Sequence, residues 1–110
     1  MTARMRRAEV HGGVNMIKVV AKQTVPEGKQ EEYLAIAKEL FEKTRQEKGN
    51  IFYTLNRSVQ DPTSLAVIEC WEDQEALSAH MASEHFNRIL PALGALCEGE
   101  GSIEVFEEIL

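Results

Sequence analysis

The order in which hydrophobic periodicity changes along the chain constrains its fold more than any single motif does. In "MIKVVAKQTV" (Met16 to Val25), Ile17, Val19 and Ala21 alternate with Lys18, Lys22 and Thr24, the period of a half-buried strand. "PEG" punctuates it. From Lys29 to Lys48 the residues Tyr33, Ile36, Ala37, Leu40 and Phe41 share one helical face, with Lys38, Glu39, Glu42 and Lys43 on the other. Gly49 is predicted to close that helix as its C′ residue. "NIFYTLNRSV" and "LAVIECW" are rich in β-branched and aromatic residues and flank the turn "DPTS", which predicts a hairpin. Asp73 and Ser83 read as N-caps of two further helical pieces. The second carries Phe86, Ile89, Leu90 and Leu93 at helical spacing, and Pro91 is expected to kink or restart it. "EGEG" should end it, and "SIEVFEEI" returns as a last strand.

The order βαββαβ gives an α+β fold: one antiparallel sheet with both helices on one face. Leu65 to Ile68 are apolar on both sides of their strand, as are Ile51 to Tyr53. A sheet apolar on both faces must be covered on both, and two helices cover only one. A second copy packing on the bare face, most simply as a two-fold homodimer, meets that need.

At 110 residues the chain supports one domain. Its net charge of −6 disfavours nucleic acid and anionic membrane surfaces, which call for clustered Lys and Arg. A small molecule or a protein is the expected partner. Cys70 and Cys97 have neither metal nor redox spacing and are expected to pack as small apolar residues in a reducing cytoplasm. No apolar run approaches the length of a membrane helix, and no secretory h-region opens the chain. The first fifteen residues, "MTARMRRAEVHGGVN", lack periodicity and are expected to be a leader, His11 included. The domain proper is then 16–110.

Four segments, "VVAKQTVPEGKQEEYLA", "TRQEKGNIFYTL", "VIECWEDQEALSAH" and "SEHF", taken in order and spacing, resemble the antibiotic biosynthesis monooxygenase (ABM) family. The resemblance spans Met16 to Leu110. It implies a ferredoxin-like subunit, association of two sheets into a dimeric α/β-barrel, and a ligand pocket between helices and sheet. Family members include cofactor-independent monooxygenases of quinols and anthrones, haem-degrading enzymes and an isomerase of a phosphorylated signal, so fold does not settle function.

The chemistry-bearing residues cluster in "CWEDQEALSAHMASEHFN". Trp71 is either a core aromatic or a wall on which a flat substrate stacks; it matches the aromatic of the family's "W-E" segment. His80 falls on the apolar side of a short helix and is either a core histidine or a general base. His85, just after the Ser83 cap, is a helix-start residue or a second substrate contact. The pair lacks an evident third metal ligand. Asn50 is turn chemistry or a hydrogen-bond partner for a carbonyl or oxyanion. Phe41, Tyr53 and Tyr33 belong first to the core and second to a pocket wall. Glu69 shares a strand face with Val67 and Trp71 and is expected to pair with Lys18 or Arg57, or else to be a buried carboxyl with a raised pKa.

No Gly-rich phosphate loop, metal set or nucleophile motif is present in the sequence. The equipment fits a substrate that supplies its own electrons to dioxygen, with His80 as base, Trp71 and Tyr53 as the slot, and no cofactor. The haem-degrading branch is disfavoured, because the residues its resemblance calls for would fall at Leu90 and Ala21. An isomerase, matched by Asn50, His80 and His85, and a non-catalytic ligand-binding dimer remain the alternatives.

Overall fold

The computed structural model describes residues 15–110; the expected leader through Val14, with His11, lies outside the described residues. Strand β1 (Ile17–Thr24) leads through a 3-10 turn (Glu27–Lys29) into helix α1 (Gln30–Thr44). The hairpin β2 (Asn50–Arg57) and β3 (Ser64–Trp71) follows, then helices α2 (Gln74–Met81) and α3 (Glu84–Gly94), and strand β4 (Glu98–Glu107). The sheet order is β2-β3-β1-β4, and every pair is antiparallel. This is the ferredoxin-like α+β arrangement, with the second helical unit split in two.

The two caps read from sequence explain the split. Asp73 accepts the amide of Ala76, and the Ser83 hydroxyl accepts that of Phe86. Each satisfies an orphan donor of a first turn, so two short helices meet at residues 82–83. Pro91 does not break α3, which continues to Gly94. Ile89 and Leu93 of that helix are buried in the core, and their burial offsets the one internal bond that proline removes. Two further expectations are corrected. Helix α1 stops at Thr44, so Gly49 is not its C′ residue. "EGEG" belongs to β4 rather than to the helix end.

The inner face of the sheet follows strict alternation. Ile17, Val19 and Ala21 oppose Trp71, Glu69 and Val67, and from β2 Tyr53 opposes Glu69. Helices α1 and α3 cover this face. On the outer face Phe52 opposes Cys70 and Phe106 opposes Lys18, and both phenylalanines remain about two-fifths exposed, at 39% and 44%. Among the described residues no helix is long and apolar enough to cross a membrane.

Candidate active site

A cavity of about 380 Å³ opens between the inner face of the sheet and helices α1 and α3, within the range of small-molecule sites. Its walls include the rings of Tyr33, Phe41, Tyr53 and Phe86 and the side chain of Leu90, with Ile103 contributed by β4. Phe41 and Tyr53 pack with centroids 4.6 Å apart and planes inclined at 57°, a tilted pair that holds both rings in place.

Two polar sets interrupt this apolar lining. Gln23 occupies an inward position of β1; its amide donates to the Tyr33 hydroxyl and accepts from the Cys97 thiol at 2.8 Å. Opposite the apolar run of β1, Glu69 sits 6% exposed and accepts the indole N–H of Trp71 at 2.7 Å. Burial pushes the Glu69 carboxyl up to about 7; the indole bond pulls against this, and the negative charge of Glu47 adds to it. The expected pairing of Glu69 with Lys18 or Arg57 does not form. Lys18 projects from the outer face to Glu108, and Arg57 donates to Gln30. Burial also drives the phenols of Tyr33 and Tyr53 well above their ordinary range, so both are neutral hydroxyls at physiological pH.

Behind this wall lies a second cluster. The Oε2 atom of Glu47 contacts His80 Nδ1 at 2.8 Å and His85 Nε2 at 2.7 Å. A carboxylate only accepts, so both ring nitrogens donate. That leaves Nε2 of His80 unprotonated, buried and without a partner among the described residues. The His80 ring, 1% exposed, lies 4.7 Å from that of Trp71 at 33°, with Phe86 at 4.8 Å and Tyr53 at 5.3 Å. Burial lowers its pKa against the pull of the Glu47 bond, which keeps it neutral near pH 7. Gly49 makes the approach of Glu47 to α2 feasible. Its φ is +88°, and a Cβ there would stand 2.6 Å from that of Ala76, so only glycine lets the α1–β2 corner close on α2.

Glu47, His80 and His85 each bring one potential ligand atom to within 4.8 Å of the others, Glu47 supplying the third group that the sequence reading lacked. Their spacing is that of hydrogen bonds. Ligand atoms at about 2.0–2.1 Å from a tetrahedral metal stand roughly 3.3 Å from one another, wider than the 2.7 and 2.8 Å found here.

Of the residues singled out in the sequence, Phe41, Tyr53, Tyr33 and Glu69 meet at the cavity. Trp71 is fully enclosed and supports Glu69 from behind rather than forming a wall. His80 is one ring farther back, and His85 lies beyond it, bonded to Glu47 and at 3.3 Å from the Ser83 hydroxyl. Asn50 is spent on the backbone; its amide donates to the carbonyls of Phe52 and Cys70, at 3.2 and 3.4 Å, where the β2–β3 register shifts. Gln23, Cys97 and Glu47 were not singled out, though each of the two longer side chains carried a signal. Gln23 continues the inward series Ile17, Val19, Ala21, and Glu47 continues the buried helical series Tyr33, Ala37, Leu40, Thr44.

A ferredoxin-like sheet with an aromatic-walled cavity beneath its helices defines an α+β domain with a cavity of small-molecule size. The chain belongs to the antibiotic biosynthesis monooxygenase family, whose pattern matches residues 16–92. It is 34% identical over 71 residues to YcnE of Bacillus subtilis (strain 168), whose name assigns a monooxygenase activity only provisionally; the match covers 64% of this chain and 75% of YcnE. The crystal structure of a conserved protein from Methanosarcina mazei Go1 superimposes with a TM-score of 0.83 at 33% identity, over 86% of this chain and 94% of that one. A crystal structure of an antibiotic biosynthesis monooxygenase gives 0.78 at 33% identity, over 86% and 99%.

Proposed function

We propose that the protein is a monooxygenase that oxidises a hydroquinone-type aromatic molecule with dioxygen, and that Glu69 takes the substrate's proton. The observation that carries this reading is the buried Glu69 carboxyl, pushed up to about 7, on the wall of an aromatic cavity. A base with a pKa near the working pH is the efficient choice for a phenolic proton. His80, the base favoured by the sequence, does not border the cavity.

The reaction needs no electron from outside the substrate. Proton transfer to Glu69 leaves a phenolate, which passes one electron to dioxygen. The semiquinone and superoxide combine at a ring carbon, and the hydroperoxide loses water to give a hydroxyquinone. A hydroquinone and dioxygen therefore yield a hydroxyquinone and one water, with the substrate supplying all the electrons. The cavity's part is to hold the ring flat between Tyr53 and Phe86, to exclude bulk water and to move the proton. A cofactor has no task in this scheme.

The isomerase alternative calls for a phosphate subsite. Among the described residues Lys22 is the single cationic residue on the cavity lining, and this favours an uncharged aromatic over a phosphorylated ligand. The outer sheet face with Phe52 and Phe106 supports a homodimer in which a second copy covers it. Two cysteines in neither disulfide nor metal spacing support a cytoplasmic location, and the acidic net charge speaks against nucleic acid or membrane as partner. Oxygen-electrode assays over a panel of substituted hydroquinones test the function. One dioxygen consumed per quinol, above the autoxidation rate and reduced about 10²-fold in Glu69→Gln, is the expected result. Tight ligand binding with no oxygen uptake would favour the non-catalytic reading.

A further inference from the structure

We infer that Glu47 is a positioning residue for Glu69, acting through His80 and Trp71 from outside the cavity. The inference rests on the proposed role of Glu69 and adds a residue that touches neither the substrate space nor Glu69 itself.

The geometry forms one continuous path. Glu47 Oε2 fixes His80 through Nδ1 at 2.8 Å. His80 stacks on Trp71 at 4.7 Å, and Trp71 donates its indole N–H to Glu69 at 2.7 Å. That indole is the one hydrogen-bond donor to the Glu69 carboxyl among the described residues, so the carboxyl points where Trp71 directs it. Trp71 in turn has no freedom to tilt while the imidazole lies against it, and the imidazole has no freedom to flip while Glu47 holds Nδ1–H. His85 steadies Glu47 from the far side at 2.7 Å. The two histidines come from different helices, and the Ser83 hydroxyl between them donates to the His80 carbonyl. The cluster therefore also locks the α2–α3 junction against the end of α1.

Glu47 has a second effect on the same group. Its negative charge opposes ionisation of Glu69 across the intervening rings. Among the described residues, the titratable or charged groups around Glu69 are Tyr53 of β2, Tyr33 of α1, Lys22 of β1 and Cys97 at the shared cavity, Glu47 after α1 and, beyond Trp71, His80 of α2 with His85 of α3 behind it. β4 contributes none on the inner face beside it, where Val105 and Ile103 stand opposite Val19 and Ala21.

Glu47→Gln tests the inference, because it keeps size and one accepting oxygen while removing the charge. The readout is the ¹³C titration of the Glu69 carboxyl in the free protein, with the Trp71 indole N–H resonance recorded alongside. The midpoint should fall by about half a unit or more, the indole resonance should shift, and kcat should drop about three- to tenfold with KM little changed. Glu47→Asp, which retains the charge, should restore most of the midpoint. A folded Glu47→Gln protein with the wild-type midpoint would overturn the inference. If Glu47→Gln does not fold, the wild-type protein decides: the His80 ring ¹⁵N resonances should show an inflection at the Glu69 midpoint, and its absence overturns the inference equally. These titrations are independent of turnover. A moved midpoint without oxygen uptake on any quinol would sink the oxygenase reading alone, whereas uptake dependent on Glu69 with an unmoved midpoint would sink the positioning role alone.

Discussion

Trp71 and Glu69, two residues apart on β3, share the inner face of the sheet and are joined by an indole N–H to carboxyl hydrogen bond of 2.7 Å. The tryptophan thereby directs its polar edge to the acid and forms no part of the cavity wall. A buried carboxyl with one neutral donor is held short of full ionisation at neutral pH.

The Glu69 contribution to stability should fall as the pH rises through the range in which the folded carboxyl lags in ionisation, against an opposing rise from His80, whose pKa burial lowers. The unfolded carboxyl ionises near its ordinary value of 4.5, the folded one near about 7. Between those values the unfolded state binds fewer protons, so unfolding free energy declines with pH. The Glu69 contribution to that decline is about 3 kcal/mol, complete above pH 7. Glu69→Gln should flatten this part of the curve and be the more stable protein at pH 8, while losing about 10²-fold in turnover. Urea unfolding at pH 4.5, 6 and 8 for both proteins checks the sign; a parent protein whose stability climbs over this interval by more than the variant's would refute it.

His80→Ala should act on folding more than on chemistry. It removes a fully buried ring from between Trp71, Phe86 and Tyr53 and one of the two donors to Glu47. The expected cost is about 2–4 kcal/mol. Turnover of the folded fraction should fall less than about tenfold, well short of the Glu69→Gln effect. Thermal melts and kinetics on the same samples separate the two, and a stable His80→Ala protein with a 10²-fold loss would return the role of base to His80.

The outer sheet face should bind a second copy. Phe52 and Phe106 lie on that face with Val20 and Ile68, and such a patch is rarely left to water. Light scattering at micromolar concentration should report about twice the 12.4 kDa chain mass. Phe106→Asp should shift the protein toward monomer by burying a charge at the interface. A parent protein that runs as a monomer at that concentration would remove the argument.

The fold was legible in the sequence wherever periodicity or capping carried it. Alternation from Ile17 to Thr24 and the caps at Asp73 and Ser83 fix elements through local physics and need no tertiary information. The cavity was half legible. Tyr53, Phe41 and Glu69 announced themselves as aromatic or acidic residues on inward positions, whereas Trp71 and His80 shared those positions yet ended in the layer behind. Alternation gives the face of a side chain and not its depth, which depends on how helices α2 and α3 close over the sheet. Glu47 fell on the buried series of a helical reading through Lys48, but α1 ends at Thr44, so that series gave its face and not what it meets. Its partners lie 33 and 38 residues away, beyond any local pattern.

Gly49 joins the fold to the site, and its replacement should reveal the connection. The residue holds φ at +88°, a region that costs an L-amino acid roughly 1 kcal/mol or more. Its carbonyl accepts the amide of Glu72 at 2.8 Å, and its missing side chain admits Ala76 of α2. Gly49→Ala should therefore cost about 2–4 kcal/mol from backbone strain and overpacking together. Relief of the clash moves the α1–β2 corner away from α2, and Glu47, two residues earlier, moves with it. The Glu47 to His80 bond then weakens, so the Trp71 indole resonance should shift toward that of Glu47→Gln. Gly49→Ala combined with Ala76→Gly removes the clash but not the φ strain; it should recover the indole resonance while regaining only part of the stability. Recovery of stability without recovery of the indole resonance would show that the corner and the Glu47 to Trp71 path are independent.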